Sequence, residues 1–304
     1  MFYSRLRPPM SSPSSQKGIV LLAAILVVMI ATTIIVSITH AEAFSIRKTA
    51  RIQGLERASG YAVGLEDWAR LFLVRDRQES AIDHLGEDWA IGIPGLPIEG
   101  GFLSGSIQDE QAKFNINNLL GSEESVVRFR RLCDNLLEDE PTFIDPLLDW
   151  MDADFDIRYP DGAEGQYETY RVANRSLSDI SELMLIKNMT AEIYEKLKPH
   201  ITALPAPTTI NVNTMTDEVF LSLAETVNLE QYLEEREAEA FVDIPSFIER
   251  LQLAIPVAGL SSSTSYFNAR GTVVQGDQSV NFNTLIQRDN NGKTTILNRT
   301  LGRL

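Results

Sequence analysis

The chain sets 42 acidic against 27 basic residues in a length of 304, a formal net charge of -15. That excess of acid disfavours nucleic-acid binding, which rests on cationic side chains releasing counterions from phosphates, and it suits a body that attracts cations or basic surfaces. A single cysteine, Cys133, excludes an intrachain disulfide, and the three histidines, His40, His84 and His200, lie far apart and in no nucleophile motif, which points away from an enzyme.

In chain order, the first element is an apolar run from Ile19 to Thr39 interrupted only by Thr32, Thr33 and Ser37. A bilayer core needs roughly 20 apolar residues in helical form, so the run predicts a transmembrane helix over 19–39. Arg5, Arg7 and Lys17 precede it and no carboxylate occurs before Glu42. The positive-inside rule then keeps the N-terminus cytoplasmic and exports the rest. A cleaved secretory signal expects a shorter apolar core and an A-x-A-like site; here the run is longer and flows into Ala41-Glu42-Ala43-Phe44.

The Lys17-Gly18 junction against this run resembles the processing site of type IV prepilins and pseudopilins. The resemblance implies a leader over 1–18, cut after Gly18 by prepilin peptidase, and methylation of the new N-terminus at Ile19. Met10 as the start would give a leader of more usual length. The fifth mature position is Ala23, where most members carry Glu. An ionised side chain at membrane depth persists only where it has a partner, in this family the N-terminal amine of a neighbouring subunit. The K-type minor pseudopilin of type II secretion systems lacks that Glu and is unusually large, which this chain resembles.

After the membrane, Leu55, Ala58, Ala62, Leu65, Trp68 and Phe72 recur at helical steps, so the helix is expected to continue to about Arg77. Phe102 to Gln108 and Ala112 to Ile116 then read as a β-hairpin turning at Asp109-Glu110. At the far end Tyr266 to Val274, Ser279 to Gln287 and Thr294 to Asn298 read as three strands joined at Gln275-Gly276-Asp277-Gln278 and Asp289-Asn290-Asn291-Gly292.

Between the strand groups lies an internal repeat. Phe114-Asn115-Ile116-Asn117-Asn118 matches Ile210-Asn211-Val212-Asn213-Thr214, and Ser178-Asp179-Ile180-Ser181-Glu182-Leu183-Met184 matches Val242-Asp243-Ile244-Pro245-Ser246-Phe247-Ile248, in the same order. The first copy carries an acid-rich excursion within 145–170, through Asp149-Trp150-Met151-Asp152-Ala153-Asp154-Phe155-Asp156 and Asp161-Gly162-Ala163-Glu164-Gly165. Hard cations such as Ca²⁺ take six to eight oxygen ligands, which a loop dense in Asp supplies; a solvated acidic surface loop is the alternative. An EF-hand fails, since Ala163 stands where the closing Glu belongs and Glu164 is one residue late. The excursion and the Tyr170-Arg171-Val172-Ala173-Asn174 segment resemble the K-type subunit, whose inserted helical domain binds calcium. This implies Asp152, Asp154, Asp156, Asp161 and Glu164 as ligands, although Gly165 replaces an acid common in that family.

The expected fold is α+β: a pilin-like long N-terminal helix, membrane-spanning in its first half, packed on an antiparallel sheet. A pilin-like body would begin at 40–118 and finish with strands at 261–304, around an inserted all-α domain at 119–260 made of two related, SAM-like helical repeats. The resemblance implies a minor pseudopilin of a type II secretion system, at the pseudopilus tip and helping to initiate its assembly. It would be single-pass in the inner membrane with a periplasmic C-terminal domain, and its partners would be the I- and J-type minor subunits and other pseudopilins. A minor pilin of a type IV pilus is the alternative within the class. A membrane-anchored helix-hairpin-helix DNA-uptake protein is the alternative outside it, although Leu185-Ile186-Lys187-Asn188-Met189 lacks the glycine such a hairpin uses.

Overall fold

The computed structural model describes residues 16–167, 171–205 and 207–303; most of the expected leader lies outside them, as do Glu168, Thr169 and Tyr170 of the acidic excursion. The described chain divides into two compact units, one up to Arg57 and one from Ala58.

Helix α1 runs Gln16–Glu79. Up to Ile52 its apolar side chains are exposed, Ile19 at 66% and Val28 at 60%, and the stretch is long and apolar enough to cross a membrane. Three hydroxyls within it are satisfied by the helix itself: Thr32 and Thr33 donate to Met29 O at 3.0 and 2.7 Å, and Thr39 donates to Ile35 O at 2.9 Å. In hydrocarbon no water would take those bonds.

From Ala58 onward the helix changes character. Ala58, Ala62, Leu65, Ala69 and Leu73 are buried, small residues that let the helix lie close on a sheet. Trp68 and Phe72, expected on that stripe, sit half-buried beside it, their rings 4.5 Å apart. The stripe runs through Ala69 and Leu73 instead, because four-residue steps keep one face.

The sheet has the order β1-β2-β7-β8-β9 and is antiparallel throughout: β1 (Ile93–Ile98), β2 (Gly101–Asp109), β7 (Tyr266–Gln275), β8 (Gln278–Arg288) and β9 (Thr294–Arg303). The three C-terminal strands stand where the sequence predicts them. The predicted hairpin does not form. Strand β2 pairs with β1 and β7, while β3 (Phe114–Asn115) pairs in parallel with β4 (Ile201–Thr202). The physical cause is local: the Asp109 carboxylate accepts from Gln111 N at 2.7 Å and caps a 3₁₀ turn at Glu110–Ala112, which carries the chain off the sheet. The real turn is Glu99-Gly100, where Gly100 has φ +80°. Strand β1 was missed because its sequence, IPGLPI, holds two prolines; it is an edge strand, where proline is tolerated.

Helix α1 is pinned to this sheet by ion pairs on buried carboxylates. Arg299 of β9 grips Glu66, its Nε 2.7 Å from Oε2 and its Nη2 on Oε1, and Thr284 of β8 donates to the same Oε2 at 2.9 Å. Arg288 is 2% exposed and lies over the Phe267 ring at 4.6 Å, donating to Leu73 O, Asp76 and Asp83.

Between β2 and β7 the chain is largely helical: α2 (Glu123–Leu136), α3 (Ile144–Met151), α4 (Ala191–Leu197), α5 (Asp217–Leu221), α6 (Leu229–Ala238) and α7 (Ile244–Leu251), with β5 (Ile210–Asn211) pairing in parallel with β6 (Leu260–Ser261). These helices share one hydrophobic core that includes Phe129, Phe143, Tyr232 and Phe241. Cys133 is fully buried in it, and burial pushes its thiol well above the ordinary range.

Candidate functional site: an asparagine frame carrying an acidic loop

The repeated Asn residues build two matching hydrogen-bond frames. In the first, Asn117 donates to Leu177 O at 3.0 Å and Leu204 O at 2.7 Å and accepts from Leu177 N at 2.8 Å. In the second, Asn213 donates to Phe241 O at 3.0 Å and Ser262 O at 3.4 Å and accepts from Phe241 N at 2.7 Å. Asn115 Oδ1 and Asn211 Oδ1 each accept the backbone N–H two residues on, at 3.1 Å. Two residues past each clamped position an Asp caps the next helical turn: Asp179 accepts from Ser181 N, and Asp243 from Ser246 N, each at 2.8 Å. Buried side-chain amides bonded on both sides in this way fix where distant backbone segments meet.

The acidic loop leaves from α3. Its hub is Asp149, a residue absent from the predicted ligand set. The Asp149 side chain is fully buried and accepts from Ala163 N at 2.8 Å, Glu164 N at 3.2 Å and Arg158 N at 3.2 Å. The loop is thereby folded back over the end of α3. A β-carbon on Gly162 would overlap Arg158 O and Asp149 Oδ2, so only glycine fits there. The signal for Asp149 was its position one helical turn before Asp152.

Of the predicted ligands, Glu164 is buried and Asp152 half-buried beside this hub, whereas Asp154, Asp156 and Asp161 are exposed, Asp154 lying near enough for its charge to act on the other two. Burial raises the Glu164 carboxyl above its ordinary range, and the charges of Asp149, Asp152 and Asp154 raise it further. Asp152 is also raised, first by burial, against the opposing bond from Arg158, whose Nη2 lies 3.0 Å from Asp152 Oδ2. Asp154 Oδ1 accepts from Asp156 N at 2.9 Å, and Asn174 ties Asp154 O back to the body at 3.1 Å. Three oxygens in this neighbourhood are buried without a hydrogen-bond partner: Asp152 Oδ1, Glu164 Oε2 and Asn174 Oδ1. Orphaned acceptors beside surplus negative charge are the chemistry of a hard-cation site.

Comparisons with known proteins decide the family. A family model described as type II secretion system (T2SS), protein K matches residues 112–206, the stretch that contains the first Asn frame and the acidic loop. Type II secretion system protein K of Pseudomonas aeruginosa is 32% identical over 94% of this chain and 93% of its own length. The chain belongs to the type II secretion system protein K family. The protein K of Klebsiella pneumoniae is 29% identical over 90% of this chain and 93% of its length. In fold, the chain is similar to one from the crystal structure of the GspK-GspI-GspJ complex of the enterotoxigenic Escherichia coli Type 2 Secretion System, with a TM-score of 0.76 at 24% identity, covering 84% of this chain and 99% of that one. As a protein K, the chain is a minor pseudopilin of the secretion apparatus, with one apolar helix as a single-pass membrane anchor.

Proposed function

We propose that this protein K caps the pseudopilus and helps to start its assembly, working by subunit contacts rather than by catalysis. The observation that carries the reading is Ala23 within a helix that has no carboxylate before Glu42. A subunit with another above it gains from a membrane-buried Glu that pairs with the neighbour's amine; a terminal subunit would hold that acid unpaired at a cost of several kcal/mol. On this reading the precursor is cut after Gly18, Ile19 is methylated, the N-terminal side lies in the cytoplasm, and the body from Ala58 faces the periplasm. The partners are the I- and J-type minor pseudopilins, as in the complex whose chain this one resembles in fold.

Within the body, the two Asn frames mark two related helical repeats of the SAM-like kind, inserted between β2 and β7. The first repeat carries a structural Ca²⁺ site. Asp152, Asp154 and Glu164 would hold the ion with the Asn174 side-chain oxygen, and Asp156 and Asp161 would join through water. Bound Ca²⁺ would neutralise the crowded carboxylates and fix the loop over α3.

Two measurements test this. Mass spectrometry of the processed chain is expected to find methylated Ile19 as the first residue; a start after His40 or Ala43 overturns the pseudopilin pathway. Co-purification from detergent is expected to recover the I- and J-type subunits, and an Ala23→Glu chain is expected to disturb pseudopilus initiation while still binding them. Recovery of type IV pilus minor subunits in their place would favour the pilus reading.

A further inference from the structure

A second cluster of acids lies outside the loop, where the end of α1 meets the segment that leads to β1. Asp76, Asp83 and Glu87 each offer a carboxylate oxygen, and these oxygens all lie within 4.8 Å of one another. That spacing is compact enough for all three to reach one ion. The loop site does not use these carboxylates, and the second Asn frame meets them only at the backbone, where Asn211 donates to Asp83 O at 3.0 Å.

The charges here do not balance. Arg288 is the guanidinium between them, 2.7 Å from Asp76 Oδ2 and bonded to Asp83 Oδ1. Asp83 also accepts from Thr264 N at 2.8 Å. One guanidinium against three carboxylates leaves two negative charges over. Arg75 lines the same cleft but pairs there with Glu79 at 2.8 Å, so the two cancel, and His84 Nε2 is 3.8 Å from Glu87 Oε1, beyond hydrogen-bond reach.

Glu87 supplies the independent observation. Its side chain is only 9% exposed. One oxygen, Oε2, accepts from Trp89 Nε1 at 2.7 Å and His84 N at 3.0 Å; the other, Oε1, is buried with no hydrogen-bond partner. A buried anionic oxygen without a donor costs several kcal/mol unless a cation meets it. A cleft of about 260 Å³ opens beside Asp76 and Glu87, enough for an ion that keeps several waters.

We propose that Asp76, Asp83 and Glu87 bind a hard divalent cation of the Ca²⁺ class at the end of α1, a site separate from the acidic loop. The ion supplies the two missing positive charges, completes its shell with waters in the cleft, and works with Arg288 to clamp the last turn of α1 to β8 and to the loop that leads into β1. The donor set is all oxygen, which selects against softer metals.

Terbium luminescence on the full chain in detergent micelles tests the proposal, because Trp89 is bonded to a ligand carboxylate and can sensitise the ion. The loop site is first silenced with Asp152→Asn and Glu164→Gln. In that background tryptophan-excited Tb³⁺ emission is expected to persist, to be displaced by Ca²⁺, and to disappear on adding either Glu87→Gln or Asp76→Asn, while Trp89→Phe dims it without changing the Ca²⁺ concentration that displaces it. Absence of emission in the silenced chain overturns the proposal, and so does emission that survives both added variants. Should those variants lose cooperative melting, the silenced chain alone decides: Ca²⁺ is expected to raise its melting temperature, and no shift overturns the site.

Discussion

The two Asn frames use the same bonds for different ends. The first, around Asn117, supports the acidic loop; the second, around Asn213, plugs into the sheet. Asn115 reaches a neutral hydroxyl, its Nδ2 3.2 Å from Thr208 Oγ1. Its counterpart Asn211 donates to Asp109 Oδ2 at 2.9 Å and to Asp83 O at 3.0 Å. A common frame therefore separates the structural task from the local chemistry, and each copy is free to carry its own ionisable groups.

The largest effect expected is from Asn117→Ala, which strands Leu177 N, Leu177 O and Leu204 O in the core and should lower stability by roughly 4 kcal/mol in denaturant melts of the chain. Asn213→Ala strands the equivalent groups, but its bond to Ser262 O is already long at 3.4 Å, so roughly 3 kcal/mol is expected. Equal losses would break the distinction between the frames; a loss near zero in either would deny that the Asn holds the repeat together.

The copies should also differ in their response to pH. Asp109 is fully buried, and burial pushes its carboxyl up to about 6 from 3.8, against donors that include the Thr214 hydroxyl and Asn211. A carboxyl raised in the folded state takes up its proton there first. Stability should accordingly rise as pH falls through about 6, and the gain should be complete below 3.8, worth about 3 kcal/mol. In cation-free buffer Asp76, pushed to about 6 with burial as the first cause, adds in the same direction. Melting temperature against pH should show the rise, and Asp109→Asn should flatten Asp109's share of it. A profile unchanged by the substitution would remove the asymmetry between the frames.

The smallest of these effects belongs to the first copy. Ca²⁺ at a hundredfold excess over the loop site's dissociation constant should stabilise the chain through that site by about 2.7 kcal/mol, and Asp152→Asn with Glu164→Gln should remove that share. The same pair of substitutions should raise cation-free stability, because it relieves repulsion among buried carboxylates. A cation-dependent shift left wholly intact by that pair would reassign the ligands.

Much of this was legible beforehand wherever one residue type repeats at one spacing. The apolar run and the recurrence of Asn-x-Asn announce themselves in this way, and the Gly- and Asn-rich turns mark off β7, β8 and β9. The predicted hairpin failed because Asp109 caps its own turn, a local bond that outcompeted strand pairing. Asp149 escaped notice because its partners are backbone amides, and any residue can supply those.

By itself the sequence determined the apolar membrane anchor, the Lys17-Gly18 pair before it, the absent acid at Ala23 and the place of the acidic loop, since hydropathy and charge along the chain need no distant partner. Only the tertiary structure decided that Glu66 belongs to Arg299, that Arg288 sits between Asp76 and Asp83, and that Glu87 keeps an unmet oxygen beside them. Those residues are far apart in the chain, and the worth of a charge depends on burial and on the groups that folding brings within a few ångströms of it.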